Sequence, residues 1–126
     1  MFKLTWKGHF DAAHKLNLPY ESKCNKLHGH RWEVIVEIES KELDENGMVI
    51  DFQRLKEVIE GFDHSYLNDY FFKPTCETLA KKLYEKILLL FLTDKEGKPK
   101  IGMSVPKVKV TIKEGPDSSI TYYEET

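Results

Sequence analysis

The run His30-Arg31-Trp32-Glu33-Val34-Ile35-Val36-Glu37-Ile38-Glu39 alternates between apolar and polar residues over almost its whole length. Side chains two apart in a strand share a face. Trp32, Val34, Val36 and Ile38 therefore make a buried side, and Arg31, Glu33, Glu37 and Glu39 mostly face the other way. The same period appears in Phe2, Leu4 and Trp6 against Lys3, Thr5 and Lys7, on a strand that runs toward His14. It returns in Lys107-Val108-Lys109-Val110-Thr111-Ile112-Lys113, after which Gly115-Pro116-Asp117-Ser118 turns the chain into Ile120-Thr121-Tyr122-Tyr123. Asn46-Gly47 signals a further hairpin turn, from which Met48-Val49-Ile50 is expected to resume a short strand.

The period changes between these strands. Phe52, Leu55, Ile59 and Phe62 fall at helical spacing behind Asp51, a good N-cap, and Gly61 marks the end. A second helix opens at Pro74-Thr75, with Thr75 as N-cap, Glu77 in the first turn, and Leu79, Leu83, Ile87 and Leu90 as its buried stripe. Thr93 to Val105 reads as an exposed connection and a candidate for mobility. Strands, then two helices, then two strands argue for an α+β domain with the helices covering one sheet face.

With 126 residues the chain, 1–126, is expected to be one domain around one core. A formal net charge of −2 with mixed signs gives no basic field for nucleic acid, so a small ligand or a protein partner is the expected target. The longest apolar run, Ile87 to Leu92, is too short to span a bilayer and belongs in the core or in a subunit interface. Two cysteines make no disulfide framework, no apolar leader opens the chain, and a cytoplasmic location is expected.

The chemistry concentrates in Cys24-Asn25-Lys26-Leu27-His28-Gly29-His30. On a strand His28 and His30 aim at one point, with Gly29 leaving room for close approach. Catalytic zinc commonly takes three protein ligands and keeps a fourth position open. His14, which closes the small-residue run Phe10-Asp11-Ala12-Ala13-His14, is the best third ligand, so the site is assigned to His14, His28 and His30. Cys24 has two readings, a fourth ligand closing a structural site or a free nucleophile or base beside an open one. Asp63-His64 sets a carboxylate beside an imidazole at a helix end, a pair that suits either a cap or a proton relay.

This constellation resembles the 6-pyruvoyltetrahydropterin synthase family and, within it, the branch of 6-carboxytetrahydropterin synthases of the queuosine pathway. The landmarks are Phe10 to His14, Cys24 to His30, Gly47-Met48-Val49-Ile50-Asp51-Phe52, Asp63-His64-Ser65-Tyr66-Leu67-Asn68, Pro74-Thr75-Cys76-Glu77 and Lys113-Glu114, covering nearly the whole chain. The resemblance implies a tunnelling fold (T-fold): a four-stranded antiparallel sheet with two helices on one face, assembled through barrel-forming trimers into a homohexamer with active sites between subunits. It implies zinc on His14, His28 and His30, Cys24 as the catalytic thiol, and Asp63 with His64 as a relay supplied by a neighbouring chain. Glu114 is similar to the glutamate that anchors a pterin ring, where it would otherwise read as a surface residue; Thr75 and Glu77 at the helix start assist it. The implied substrate is 7,8-dihydroneopterin triphosphate, with Lys23, Lys26 and Arg31 as candidates for its phosphates.

Three residues separate Cys24 from His28, which is similar to the carboxy-forming branch; the pyruvoyl-forming branch carries a longer spacer, and the folate-serving branch usually places Glu where Cys24 stands. The Thr93 to Val105 connection and Gly115-Pro116 depart from the family's usual pattern. A reading of a different class is a noncatalytic, zinc-stabilised, pterin-binding assembly in which Cys24 closes the metal site.

Overall fold

A computed structural model describes residues 1–94, 96–100 and 104–125. Two long strands form its centre, β1 (Phe2–His14) and β2 (His28–Ser40), paired antiparallel in a register that sets His14 opposite His28 and Ala12 opposite His30. Helix α1 (Phe52–Glu60) and a two-residue strand β3 (Ser65–Tyr66) follow, then α2 (Cys76–Leu92), β4 (Lys107–Lys113) and β5 (Ser119–Tyr123). The sheet order is β3-β1-β2-β4-β5.

The period-two pattern sorts the sheet as expected. Phe10, Ala12 and His14 of β1, Trp32, Val34, Val36 and Ile38 of β2, and Val108, Val110 and Ile112 of β4 are buried on one face. Against that face pack α2, over β4 and β5, and α1, over β1. Leu79, Leu83 and Ile87 of α2 and Leu55 and Ile59 of α1 are fully buried there, so trimming any of these to Ala costs about 2–5 kcal/mol. Both helices start where their caps predict: Asp51 accepts from Gln53 N–H, and Thr75 Oγ1 accepts from Thr78 N–H, with Thr78 returning the bond to Thr75 N–H. The other sheet face carries alternating charge, with Lys3 to Glu37 at 3.4 Å and Arg31 to Asp11 at 3.2 Å.

Two expectations are corrected. The sheet has five strands, because β3 pairs parallel with Ala12 and Ala13 of β1, a contact between distant segments that no local period announces. Met48-Val49-Ile50 is not a strand. Asp44 Oδ1 accepts from both Asn46 N–H and Met48 N–H, Gly47 takes the left-handed turn at φ 79°, and the short loop delivers Ile50 into the core one residue before the α1 cap. At Gly29 an added Cβ would come no closer than 3.8 Å to any neighbour, so nothing within the chain demands glycine there.

The Ile87 to Leu92 run divides its residues, with Ile87 buried and Leu89 and Leu92 exposed. Part of the Thr93 to Val105 connection is pinned: Asp94 repeats the Asp44 loop, its Oδ1 accepting from Glu96 N–H and Lys98 N–H. The remainder of that expectation, at Lys95 and at 101–103, lies outside the described residues. Among the described residues no helix is long and apolar enough to cross a membrane.

Candidate active site

His14, His28 and His30 lie on the core-facing side at one end of the β1–β2 ladder, and one ring nitrogen from each comes within 4.8 Å of the other two. His14 is 2% exposed, and its Nδ1 lies 2.7 Å from the Pro74 carbonyl. A carbonyl oxygen only accepts, so Nδ1 carries the proton and Nε2 presents a lone pair. His28 repeats the arrangement with Nδ1 at 2.7 Å from the Lys26 carbonyl, and His30 more loosely with Nδ1 at 3.3 Å from that of Arg31. Fixing one ring nitrogen on a backbone carbonyl is how metal-binding histidines hold their other nitrogen toward the ion.

His14 Nε2 and His30 Nε2 are 3.4 Å apart. With a proton on His30 Nε2 the contact is a hydrogen bond to His14 Nε2; with both nitrogens bare, the two lone pairs repel unless a cation lies between them. The separation matches the edge of a tetrahedron with metal–nitrogen bonds of about 2.0–2.1 Å. Burial holds the His14 imidazole below its ordinary range; the Pro74 bond opposes this, His28 and His30 lower it further, and Glu114 raises it. The ring is thus kept neutral, the form that ligates. The donor set fits a zinc-like ion.

Beneath the rings lies Trp32, fully buried, its ring centroid 4.2 Å from that of His30 and 4.8 Å from that of His14. Its Nε1–H donates to Ala12 O at 3.3 Å, which ties this platform to β1. The sequence marks Trp32 as core, yet the parity His28, His30, Trp32 already sets it on the face of the ligands.

The start of α2 borders the same site. Pro74 supplies the carbonyl for His14, and Glu114, just past β4, brings Oε1 to 4.0 Å from His30 Nε2. The Cys76 thiol is pushed well above its usual range, first by burial and then by the Glu114 and Glu77 carboxylates beside it. Glu114 therefore stands beside both His30 and the Cys76 thiol, at the start of the helix that Thr75 caps and whose first turn holds Glu77. The Thr75 hydroxyl is already committed to capping α2, which leaves backbone N–H groups of the first turn as the donors there.

Other candidates lie apart. Among the described residues the histidine group includes neither Cys24 nor Asp63 nor His64. Cys24 is exposed on a 3₁₀ turn (Lys23–Asn25). Asp63 Oδ2 accepts from His64 Nδ1 at 2.9 Å while its Oδ1 accepts from Asp11 N–H at 2.9 Å. That leaves the His64 ring, 83% exposed, with Nε2 free to exchange a proton. His64 has φ 57°, uncommon for a residue with a Cβ, and lines a shallow groove with Asp11, Ala12, Ala13, Gly29, His30, Arg31 and Ser65, so the groove reaches one of the three clustered histidines. Arg31 Nε pairs with Asp11 Oδ1 at 3.2 Å on that side.

Fold and site together define an α+β protein of the T-fold type with a candidate three-histidine metal centre. The profile described as 6-pyruvoyl tetrahydropterin synthase matches residues 3–125. A Pyrococcus horikoshii protein named putative 6-carboxy-5,6,7,8-tetrahydropterin synthase is 34% identical over 98% of this chain and 69% of its own length. The 6-carboxy-5,6,7,8-tetrahydropterin synthase of Bacillus subtilis is 31% identical over 96% and 84%. A dihydroneopterin monophosphate aldolase of Pyrococcus furiosus is 36% identical over 68% and 74%. The Caenorhabditis elegans 6-pyruvoyl tetrahydropterin synthase structure superposes with a TM-score of 0.68 at 30% identity, covering 98% of this chain and 96% of that one. The chain belongs to the 6-pyruvoyl tetrahydropterin synthase family of pterin-processing enzymes.

Proposed function

We propose that the chain is a zinc-dependent lyase converting 7,8-dihydroneopterin triphosphate to 6-carboxy-5,6,7,8-tetrahydropterin, with loss of triphosphate and acetaldehyde, in a 7-deazapurine (queuosine-type) pathway in the cytoplasm. The convergence of one ring nitrogen from each of His14, His28 and His30, with Glu114 alongside, carries this reading. Bound on the three neutral imidazoles, zinc supplies Lewis acidity toward the hydroxyl oxygens of the substrate side chain. Glu114 accepts paired N–H groups of the pterin ring, the geometry in which a carboxylate is most selective. Cys24 moves a proton at a side-chain carbon, as an exposed thiol free of the metal group is able to do. Asp63 holds His64 Nδ1–H so that Nε2 gives or takes the proton.

The histidine group does not include His64, whose ring is 83% exposed beside the groove that His30 also lines. This supports a relay that serves a neighbouring copy's metal site, in the barrel-forming homohexamer that the family resemblance implies. The closed, noncatalytic reading of the metal site is disfavoured, because Cys24 stands outside the group.

Zinc-loaded protein incubated with dihydroneopterin triphosphate, with products weighed by mass spectrometry, tests the assignment. Release of 6-carboxytetrahydropterin with acetaldehyde is expected. Recovery of 6-pyruvoyltetrahydropterin alone, or turnover of dihydroneopterin monophosphate alone, rejects it in favour of the corresponding relative's activity.

A further inference from the structure

The segment from Asp63 to Asn68 runs along the last residues of β1. Asp63 Oδ1 and His64 N–H bond the backbone of Asp11, and Ser65 and Tyr66 pair with Ala12 and Ala13. Asn68 completes the series: its Oδ1 accepts from Lys15 N–H at 3.0 Å, and its Nδ2 donates to Lys15 O at 2.9 Å. One carboxamide thus bonds both backbone groups of one residue, standing in for the next rung of the ladder.

Lys15 is the root of the loop that carries Cys24. The next residue, Leu16, donates its N–H to Cys24 O at 2.7 Å, and Ser22 Oγ accepts from Cys24 N–H at 3.1 Å. Inside the loop Asn25 Oδ1 accepts from Leu18 N–H at 2.8 Å, and its Nδ2 donates to Tyr20 O at 3.1 Å. The Cys24 side chain is exposed, so its position is inherited from this backbone frame rather than from packing around the sulfur. Asn68 lies 53 residues from Lys15 in sequence and holds the frame at the point where it leaves the strand carrying His14.

We propose that Asn68 is a positioning residue for the Cys24 thiol: its paired bonds to Lys15 fix the root of the loop, and the Leu16 to Cys24 bond passes that placement to the residue bearing the sulfur. The proposal rests on the reading of Cys24 as the group that moves the substrate's proton. Proton transfer is steep in distance, and a displacement of about 1 Å costs on the order of a hundredfold in rate. Loosening the clamp therefore lowers turnover without touching the metal or the pterin anchor.

The test is a cycle of Asn68→Ala, Cys24→Ala and the double variant in zinc-loaded protein, read by kcat, KM, zinc content and the rate at which iodoacetamide alkylates Cys24. Asn68→Ala is expected to lower kcat by roughly ten- to a hundredfold, with KM and zinc content near wild type and the alkylation rate changed several-fold. In the Cys24→Ala background the same substitution is expected to do nothing further, since a residue acting through the thiol has no effect once the thiol is gone. A loss of kcat that persists in that background overturns the proposal, as does wild-type kcat and alkylation in Asn68→Ala. Full activity in Cys24→Ala instead removes the catalytic reading of the thiol, and the proposal with it. Asn68→Asp, which keeps the acceptor for Lys15 N–H and loses the donor to Lys15 O, carries the same comparison if Asn68→Ala fails to fold.

Discussion

Replacing Trp32 by Phe separates the platform beneath the histidines from the histidines themselves. The indole is fully buried, donates to Ala12 O at 3.3 Å, and lies against both His30 and His14. Loss of that hydrogen bond costs about 1 kcal/mol. The smaller ring leaves a void worth roughly another 1 kcal/mol where the core does not collapse. A total of about 2 kcal/mol lowers the melting temperature of a domain this size by roughly 8 °C. Because the rings lose their backing, metal affinity falls on the order of tenfold, the range seen when supports around a site's ligands are removed. Circular dichroism melts of metal-free protein at one fixed concentration read the first effect, and competition with a zinc-binding dye reads the second. A Trp32→Phe variant with unchanged melting temperature and unchanged affinity refutes the platform argument.

Three further outcomes follow from single contacts. A Cβ at Gly8 would sit 2.1 Å from Cη2 of Trp6, so Gly8→Ala must displace the indole; a loss of about 1–3 kcal/mol in urea unfolding is expected. The two thiols differ in kind: Cys24 is exposed, while burial and Glu114 keep Cys76 protonated. One iodoacetamide adduct, mapped to Cys24 by peptide mass, is therefore expected in folded protein at neutral pH. Asp63 is held below the ordinary 3.8, first by the Asp11 N–H, with burial opposing and the His64 bond adding to the effect. A carboxylate depressed in the fold stabilises it fully above its unfolded pKa and loses that contribution as pH falls through the folded value, below about 4. Melting temperatures of wild type and Asp63→Asn should therefore run parallel from pH 5 to 8 and converge only under stronger acid.

The elements that bury a face were legible because the burial is written into local periods. Trp32 to Ile38 and Phe2 to Trp6 announce strands, and Asp51 and Thr75 announce helix starts, since alternation and capping depend on neighbours a few residues away. Two of the histidines were legible by strand parity and His14 by its place at the end of the small-residue run Phe10 to His14, and the register of β1 on β2 sets it opposite His28. What the sequence hid depends on distant partners. The β3 pairing, the Asn68 clamp on Lys15 and the Pro74 carbonyl on His14 each join segments more than 50 residues apart. The Met48 to Ile50 expectation failed on a competing local signal, the Asp44 side chain, which closes the loop before a strand can extend. The Thr75 hydroxyl accepts from Thr78 N–H, the cap that the sequence announces at the start of α2.

The account turns on a metal ion held by His14, His28 and His30, with Cys24 outside the coordination shell. Zinc K-edge absorption of the loaded protein reads this directly. The account predicts a first shell of nitrogen and oxygen alone, best fitted by three imidazoles. A sulfur scatterer at about 2.3 Å would contradict it, because the thiol proposed to move the substrate's proton would then be bound to the metal.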